Sequence, residues 1–122
     1  MIRICLLFFI SLLFISCTQT PKKYNERYYQ TQLCNKLDGK MEYVLKDRSR
    51  IDCLTDKYAI EVDFAKKWAE SIGQSLFYAQ MTAKKPAIGL IIGKKDDRYV
   101  KRIKKVTQKI NIKIFEIDKI EK

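Results

Sequence analysis

The fold is decided by two short stretches, Arg50-Ile51-Asp52-Cys53-Leu54 and Ile60-Glu61-Val62-Asp63-Phe64. Both alternate apolar and polar or charged residues, as a β-strand with two different faces does. A tight turn at 55–57 lies between the strands that contain them, so we expect these strands to be antiparallel neighbours. Glu61 and Asp63 then share one face of the sheet, and Asp52 lies close to Glu61.

The pattern on either side predicts an α/β or α+β fold, in which a small mixed β-sheet is flanked by helices in the order α-β-β-β-α-β-α-β. The uninterrupted apolar run at 87–92 is typical of a fully buried strand. The predicted helices are Tyr24–Lys36, Phe64–Ala83 and Asp97–Lys109. The predicted strands are Met41–Leu45, Arg50–Leu54, Tyr58–Asp63, Ala87–Ile92 and Lys113–Ile117.

The composition excludes several classes of site. The 122 residues include 25 Lys and Arg against 14 Asp and Glu, a net charge of +11, and no histidine. A Ser-His-Asp triad, an imidazole base and a His-ligated zinc are therefore impossible. A hydrophobic fraction of 47% with two prolines and four glycines favours a packed domain over a disordered chain.

The N-terminus has the pattern of an export signal. Met1-Ile2-Arg3 is followed by an apolar run from Ile4 to Ile15, which is short for a membrane span. Ser16-Cys17 resembles the end of a bacterial lipobox, although Phe14 stands where leucine is usual. We expect a signal peptide at 1–16, a lipid on Cys17, a tether at 17–23 and a domain at 24–122. The alternatives are an ordinary signal peptide or an uncleaved anchor.

Two cysteines remain for the domain. An exported protein folds in an oxidising compartment, so Cys34 and Cys53 are expected to form a disulfide. The alternative is two buried free thiols.

Converging carboxylates without histidine form an oxygen-only cluster, which suits a hard cation such as Mg²⁺. Asp52, Glu61 and Asp63 are the predicted ligands. Glu42 on the first strand would add another, and Glu26 on the first helix competes for that role. The alternative is that these carboxylates line a solvated hairpin.

The second helix carries two stripes. The stripe predicted to face the core is Ala65, Trp68, Ala69, Ile72, Leu76 and Ala79. The polar stripe, on roughly the opposite side, is Lys67, Ser71, Gln74 and Tyr78.

Together these residues resemble the PD-(D/E)XK nuclease superfamily, whose core has the order α-β-β-β-α-β. In that superfamily an Asp on one strand and a D/E-x-K motif on the next bind the metal and position the attacking water. Asp52 matches the first position and Glu61 the second. Gln74 to Tyr78 also matches the Q-x-x-x-Y helix motif of the RecB-like branch. The resemblance covers about residues 24–122.

The chain departs from that motif at Asp63, where the family has lysine. Some members carry the lysine on the following helix, where Lys67 heads the polar stripe. Lys66 points about 100° away and is the weaker candidate. Asp63 would then be a third metal ligand or hold Lys67 in an ion pair. If neither lysine reaches the site, the fold binds without cutting.

The resemblance implies a cofactor, Mg²⁺ or Mn²⁺, with Lys67 orienting the water and Gln74 positioning Lys67, that water or the phosphate. Tyr78 lies roughly 16 Å along the helix from Lys67, too far to serve the same metal. It would pack or, with Ser71, face the substrate.

Basic residues indicate a polyanionic partner. Arg98, Lys101, Arg102, Lys104, Lys105 and Lys109 crowd the third helix, with Lys84-Lys85 and Lys94-Lys95 near them in sequence. Nucleic acid, an anionic lipid surface and no specific partner stay open as explanations. Tyr24, Tyr28 and Tyr29 would stack on bases or pack in the core.

We therefore expect a lipid-anchored, Mg²⁺-dependent nuclease of the cell envelope, facing the periplasm or the exterior and acting on DNA. The alternative is a catalytically inactive basic lipoprotein that holds nucleic acid or a protein partner. A structural envelope lipoprotein ranks third. A homodimer is compatible with cutting both strands.

Overall fold

A computed structural model describes residues 24–121. The expected signal peptide, Cys17 and the tether lie outside the described residues. The helices are α1 (Glu26–Lys36), α2 (Trp68–Thr82) and α3 (Asp97–Ile110), and a short 3₁₀ turn, Ala65–Lys67, leads into α2. The strands are β1 (Lys40–Val44), β2 (Arg50–Leu54), β3 (Tyr58–Phe64), β4 (Lys85–Ile92) and β5 (Lys113–Asp118). The predicted fold class and element order are confirmed.

All five strands form one sheet in chain order, β1-β2-β3-β4-β5. The first three strands are antiparallel, whereas β3, β4 and β5 run parallel. The helices α2 and α3 supply the crossovers that parallel neighbours require. Because the three parallel strands point the same way, their carboxyl ends meet at one edge of the sheet, which we call the C-terminal edge. The opposite edge is the N-terminal edge.

A hydrophobic core lies on each face of the sheet. Under α1, Tyr29 and Leu33 pack against Ile60 and Val62. On the other face, Ile103 of α3 packs with Ile88 and Leu90 of the central strand β4. The polar ends of the strands are therefore held between two helical layers.

The helix α2 is rotated relative to the sequence prediction. Its buried residues are Ser71, Ser75 and Tyr78, whereas Leu76 of the predicted core stripe is 40% exposed. Trp68 and Ile72 pack sideways, in the cluster that contains Tyr99 and Val100 of α3. The prediction that the polar stripe points away from the core is wrong. Polar groups face the sheet here because β3 presents carboxyl groups to them.

The disulfide between Cys34 and Cys53 is confirmed and fixes α1 to β2, with a Cα–Cα distance of 5.6 Å. The chain passes beside it at Gly39, where a Cβ atom would lie 2.4 Å from the sulfur of Cys53 and 2.9 Å from that of Cys34. This position therefore requires glycine.

The helix α3 has one buried side and one basic side. Ile103 and Thr107 are buried, and five cations on the opposite side are exposed: Arg98, Lys101, Arg102, Lys105 and Lys109. Between Tyr24 and Glu121, no helix has the length and apolar character needed to cross a membrane.

Candidate active site

Four carboxyl groups and one ammonium group meet beside β3. Glu61 and Asp63 belong to β3, Asp52 to β2 and Glu26 to the first turn of α1, while Lys67 ends the 3₁₀ turn before α2. Glu61 is 6% exposed and Asp63 is 2% exposed. Carboxyl groups buried to this degree require hydrogen bonds, counter-charges or bound protons. We call these five residues the carboxyl cluster.

The side chain of Asp52 lies between β2 and β3 at the cluster. The two strands pair at Cys53↔Ile60 and Leu54↔Ala59. Beyond that point the backbone N–H of Val62 donates to Oδ2 of Asp52 at 2.7 Å. A carboxylate thus accepts the hydrogen bond that a strand carbonyl would otherwise accept. The ladder ends where Asp52 enters it, and the cluster occupies this position.

Asp52 and Glu61 form a carboxyl pair. Burial raises the pKa of Glu61 to about 9, and the charges of Asp52 and Asp63 add to the effect. Burial also raises the pKa of Asp52 to about 6, against the hydrogen bond from Val62. The hydrogen bond between the two carboxyl groups raises the pKa of Glu61 and lowers that of Asp52. Glu61 is therefore the group that carries the proton at neutral pH.

Glu26 and Asp63 form a second pair, joined by Lys67. Burial raises the pKa of Glu26 to about 7, with a contribution from its hydrogen bond to Asp63. The Lys67 ammonium lies 3.1 Å from Oδ1 of Asp63 and 3.7 Å from Oε2 of Glu26. Its polar contact with Asp63 raises the pKa of Lys67, so this residue stays charged. The ion pair between Asp63 and Lys67 is one of the two roles that the sequence predicts for Asp63.

The ammonium group does not saturate Asp63. Ser71, which is fully buried, donates to Oδ2 at 3.3 Å. Oδ1 accepts no hydrogen bond of standard geometry within the described part of the chain, although it is ion-paired with the Lys67 ammonium at 3.1 Å. Oε1 of Gln74 is also buried without a partner among these residues. Buried oxygens of this kind require a proton, water or cation.

Ser71 and Tyr78, which the sequence analysis predicts to face the substrate or, for Tyr78, to pack, are both buried. Tyr78 is 6% exposed and packs against Ile51 and Ala59. Burial raises the pKa of Tyr78 to about 12, and the charges of Glu61 and Asp52 contribute. The phenol therefore supports the cluster from beneath α2, which agrees with the alternative that it packs.

Glu42 is held outside the two carboxyl pairs. Its Oε1 accepts from Nε2 of Gln30 at 3.0 Å, and it lies 3.5 Å from Arg27 and 3.7 Å from Arg50. Glu26, considered only as its competitor, supplies the fourth carboxyl group instead. The sequence offers little to separate the two, because Glu26 reaches the site through the packing of α1.

The basic residues of α3 begin near the cluster. This helix starts after the carboxyl end of β4 and contacts the 3₁₀ turn that ends at Lys67. Arg98 lies in its first turn, and Lys101, Arg102 and Lys105 follow on the exposed side. Lys104 pairs instead with Glu116 of β5.

The carboxyl groups of the cluster are of the type that binds a hard cation, but they are not arranged to hold one. The groups of the cluster that can bind a metal are all carboxyl oxygens, and the Lys67 ammonium lies 3.1 Å from one of them, Oδ1 of Asp63. Among residues 24–121, however, no group of three or more His, Cys, Asp or Glu side chains is placed to hold a metal ion. Binding a cation would require the protons of the two carboxyl pairs to leave. No family model, curated protein or solved structure matches this chain.

Proposed function

We propose that this protein is a metal-dependent phosphodiesterase of the PD-(D/E)XK nuclease type, acting on nucleic acid. The observation that carries the proposal is the carboxyl cluster, in which four carboxyl groups from three elements lie together at the C-terminal edge of the sheet, Glu61 and Asp63 are buried, and Lys67 contacts Asp63 and Glu26. Carboxyl groups whose pKa values are raised by burial and by one another are typical of functional sites.

In this proposal Asp52, Glu61 and Asp63 hold Mg²⁺ or Mn²⁺. The metal, when bound, lowers the pKa of a water molecule and offsets charge on the phosphate. Lys67 is 44% exposed at its side chain and reaches both the cluster and solvent, so it orients the water or stabilises the charged transition state. Gln74, whose Oε1 has no hydrogen-bond partner among residues 24–121, positions Lys67 or that water.

A second candidate is a catalytically inactive protein that binds nucleic acid or a protein partner. Asp63 stands where the motif has lysine, and its 3.1 Å contact with Lys67 favours this alternative. A lysine held between two carboxylates offsets part of their negative charge and disfavours the binding of a metal cation. The proposal of a lipid anchor at Cys17, with the domain in the cell envelope, applies to both candidates.

A cleavage assay distinguishes the two candidates. Linear and circular DNA and single-stranded RNA are incubated with the disulfide-bonded protein in Mg²⁺, Mn²⁺ or EDTA. The variants are Glu61→Gln and Lys67→Gln. The matched control is Lys66→Gln, which removes the same charge from the exposed neighbouring residue.

We expect metal-dependent cleavage that Glu61→Gln and Lys67→Gln each reduce about 100-fold or more, as losses of electrostatic and proton-transfer groups do. Lys66→Gln should retain activity. Cleavage should also rise with pH, since deprotonated carboxyl groups are needed to bind the cation. Binding of nucleic acid without cleavage under every metal would contradict the proposal and favour the inactive binder.

A further inference from the structure

The N-terminal edge of the sheet, remote from the carboxyl cluster, contains a cavity of about 270 Å³. It lies where β3 and β4 begin and where the chain passes from α3 to β5. Its polar lining includes Tyr58, Lys85, Asn111 and Lys113. Tyr58 precedes Asp63 by five residues on the same strand, a distance of about 16 Å. The cavity is therefore separate from the proposed active site, and we call it the lysine cavity.

The charge of the lysine cavity is positive. Lys85 and Lys113 line it, and no carboxylate does. Within residues 24–121 neither lysine takes part in an ion pair, whereas Lys67 and Lys104 on the same molecule do. Lys57 adds a third ammonium group at this edge, 5.1 Å from the ring centre of Tyr58. Ammonium groups gathered around a concavity without carboxylates match an anionic ligand.

The rest of the lining is flat and apolar. Tyr58 is held edge-on against Phe115, with their ring centres 5.6 Å apart, so its orientation is fixed. Pro86 and Ile112 complete the wall. A ring can pack against this surface while an attached phosphate contacts the lysines. That combination of a phosphate and a flat ring is the chemistry of a nucleotide.

A row of cations lies on α3, which packs on the opposite face of the sheet from Tyr58 and Phe115. The exposed cations of α3, Arg98, Lys101, Arg102, Lys105 and Lys109, recur at helical spacing over about 16 Å. Asn111 and Lys113 of the cavity follow directly. A linear array of this kind fits a phosphate backbone. It fits a membrane less well, because the apolar side of α3 is buried against the sheet and cannot insert into lipid.

We propose that the lysine cavity binds a nucleotide, with the phosphate between Lys85 and Lys113 and the ring against Tyr58. The inference is independent of the proposed hydrolysis, since no member of the carboxyl cluster takes part. The nucleotide is either free or part of a strand, and the experiment separates these sources.

The test measures fluorescence anisotropy of a labelled single-stranded oligonucleotide with the full chain, in EDTA so that no cleavage can occur. The pocket variant is Lys85→Gln with Lys113→Gln. The matched control is Lys36→Gln with Lys40→Gln, which removes two exposed lysines that do not line the cavity. Unlabelled mononucleotide and inorganic phosphate serve as competitors, and anionic phosphatidylglycerol vesicles as a second binding partner. Circular dichroism melting checks that each variant is folded.

We expect the pocket variant to bind about 25-fold more weakly at about 0.1 M salt, because each single-strand phosphate contact contributes about 0.7 to the slope of log K against log salt. The slope itself should fall by about 1.4 for two contacts. The control variant should lose much less affinity. Competition by the mononucleotide supports the cavity as a site for the free nucleotide, and competition by longer strands alone supports a nucleotide within a strand.

Three results would overturn the proposal. If the pocket variant and the control variant lost the same affinity for the oligonucleotide, binding would be a diffuse electrostatic attraction and not a property of the cavity. Inorganic phosphate competing as well as the mononucleotide would remove the role of the ring. A pocket variant that loses binding to vesicles while it keeps the oligonucleotide would assign the lysines to a membrane surface.

Discussion

At the scale of single residues, the carboxyl cluster makes stability depend on protons. Glu61, Glu26 and Asp52 have pKa values of about 9, 7 and 6 in the folded protein, against ordinary values of 4.5, 4.5 and 3.8. Burial is the largest cause for each. An acid whose pKa is raised by folding ionises first in the unfolded chain. Rising pH therefore favours unfolding throughout the interval between the two values.

We predict that, in EDTA, the contribution of these three acids to the free energy of unfolding is greatest below about pH 4 and declines as the pH rises toward about 9. Each of the three acids contributes a slope of up to about 1.4 kcal/mol per pH unit within its own interval. Glu61→Gln, which cannot ionise, should remove one such contribution and be more stable than the unchanged protein at about pH 8. Urea unfolding at several pH values measures both effects.

A free energy of unfolding that stays constant from about pH 5 to about pH 8 in EDTA would contradict this prediction. Tyr28→Phe is a suitable control, since it removes a hydroxyl from a partly exposed side chain outside the cluster. Its pH profile should match that of the unchanged protein.

Strand alternation alone brings Asp52, Glu61 and Asp63 together, because neighbouring antiparallel strands place such residues side by side. The same reasoning does not identify Glu26. Glu26 precedes β1 and β2 in the sequence, whereas Asp63 follows them. The two side chains come close only because α1 packs on the sheet. Predicting it would require the position of a helix end, which sequence periodicity does not give.

At the scale of elements, the glycines of α2 and β4 have opposite surroundings. A Cβ atom on Gly89 would lie 2.7 Å from Leu33 of α1 and 3.0 Å from Val62 of β3. A Cβ atom on Gly73 would meet nothing within 4 Å. The close approach of α1 to the sheet thus depends on Gly89, whereas Gly73 only weakens its helix.

We predict that Gly89→Ala destabilises the fold by about 1–3 kcal/mol, the usual effect of overpacking. Gly73→Ala should stabilise it by up to about 1 kcal/mol, since alanine is the better helix former at an exposed position. Thermal unfolding of the two variants measures the contrast. If Gly89→Ala stabilised the protein, the close packing of α1 on β4 at this position would be contradicted.

The element boundaries follow from the sequence almost throughout, but the rotation of α2 does not. Leu76, Phe77 and Met81 are all at least 40% exposed, so apolar residues surround this helix. A helix that is apolar on several sides has no single stripe from which its buried face can be read. A buried acid of β3 favours this orientation, because Ser71 donates a hydrogen bond to Asp63 and Leu76 could not.

At the scale of the whole molecule, a disulfide joins α1 covalently to β2. The disulfide between Cys34 and Cys53 spans 19 residues of sequence and ties α1 to the sheet. In the chain-entropy account, closing a loop of this length restricts the unfolded chain and stabilises the fold by about 3 kcal/mol.

We predict that the double variant Cys34→Ala with Cys53→Ala loses about 3 kcal/mol of unfolding free energy. The unchanged protein in dithiothreitol should lose a similar amount, which separates the effect of the link from that of the missing sulfur atoms. Urea denaturation under both conditions gives the comparison. Equal stability with and without reductant would contradict the prediction.

The order of the sheet also bears on how the chain acquires its shape. Each strand pairs with the strand next to it in sequence, so no pairing has to wait for a segment from the far end of the chain. Contacts between nearby segments close small loops and favour rapid folding. The segment 26–54 contains α1, β1, β2 and both disulfide cysteines. A chain that emerges N-terminus first can therefore lock this segment covalently before the lysine of its proposed active site has appeared.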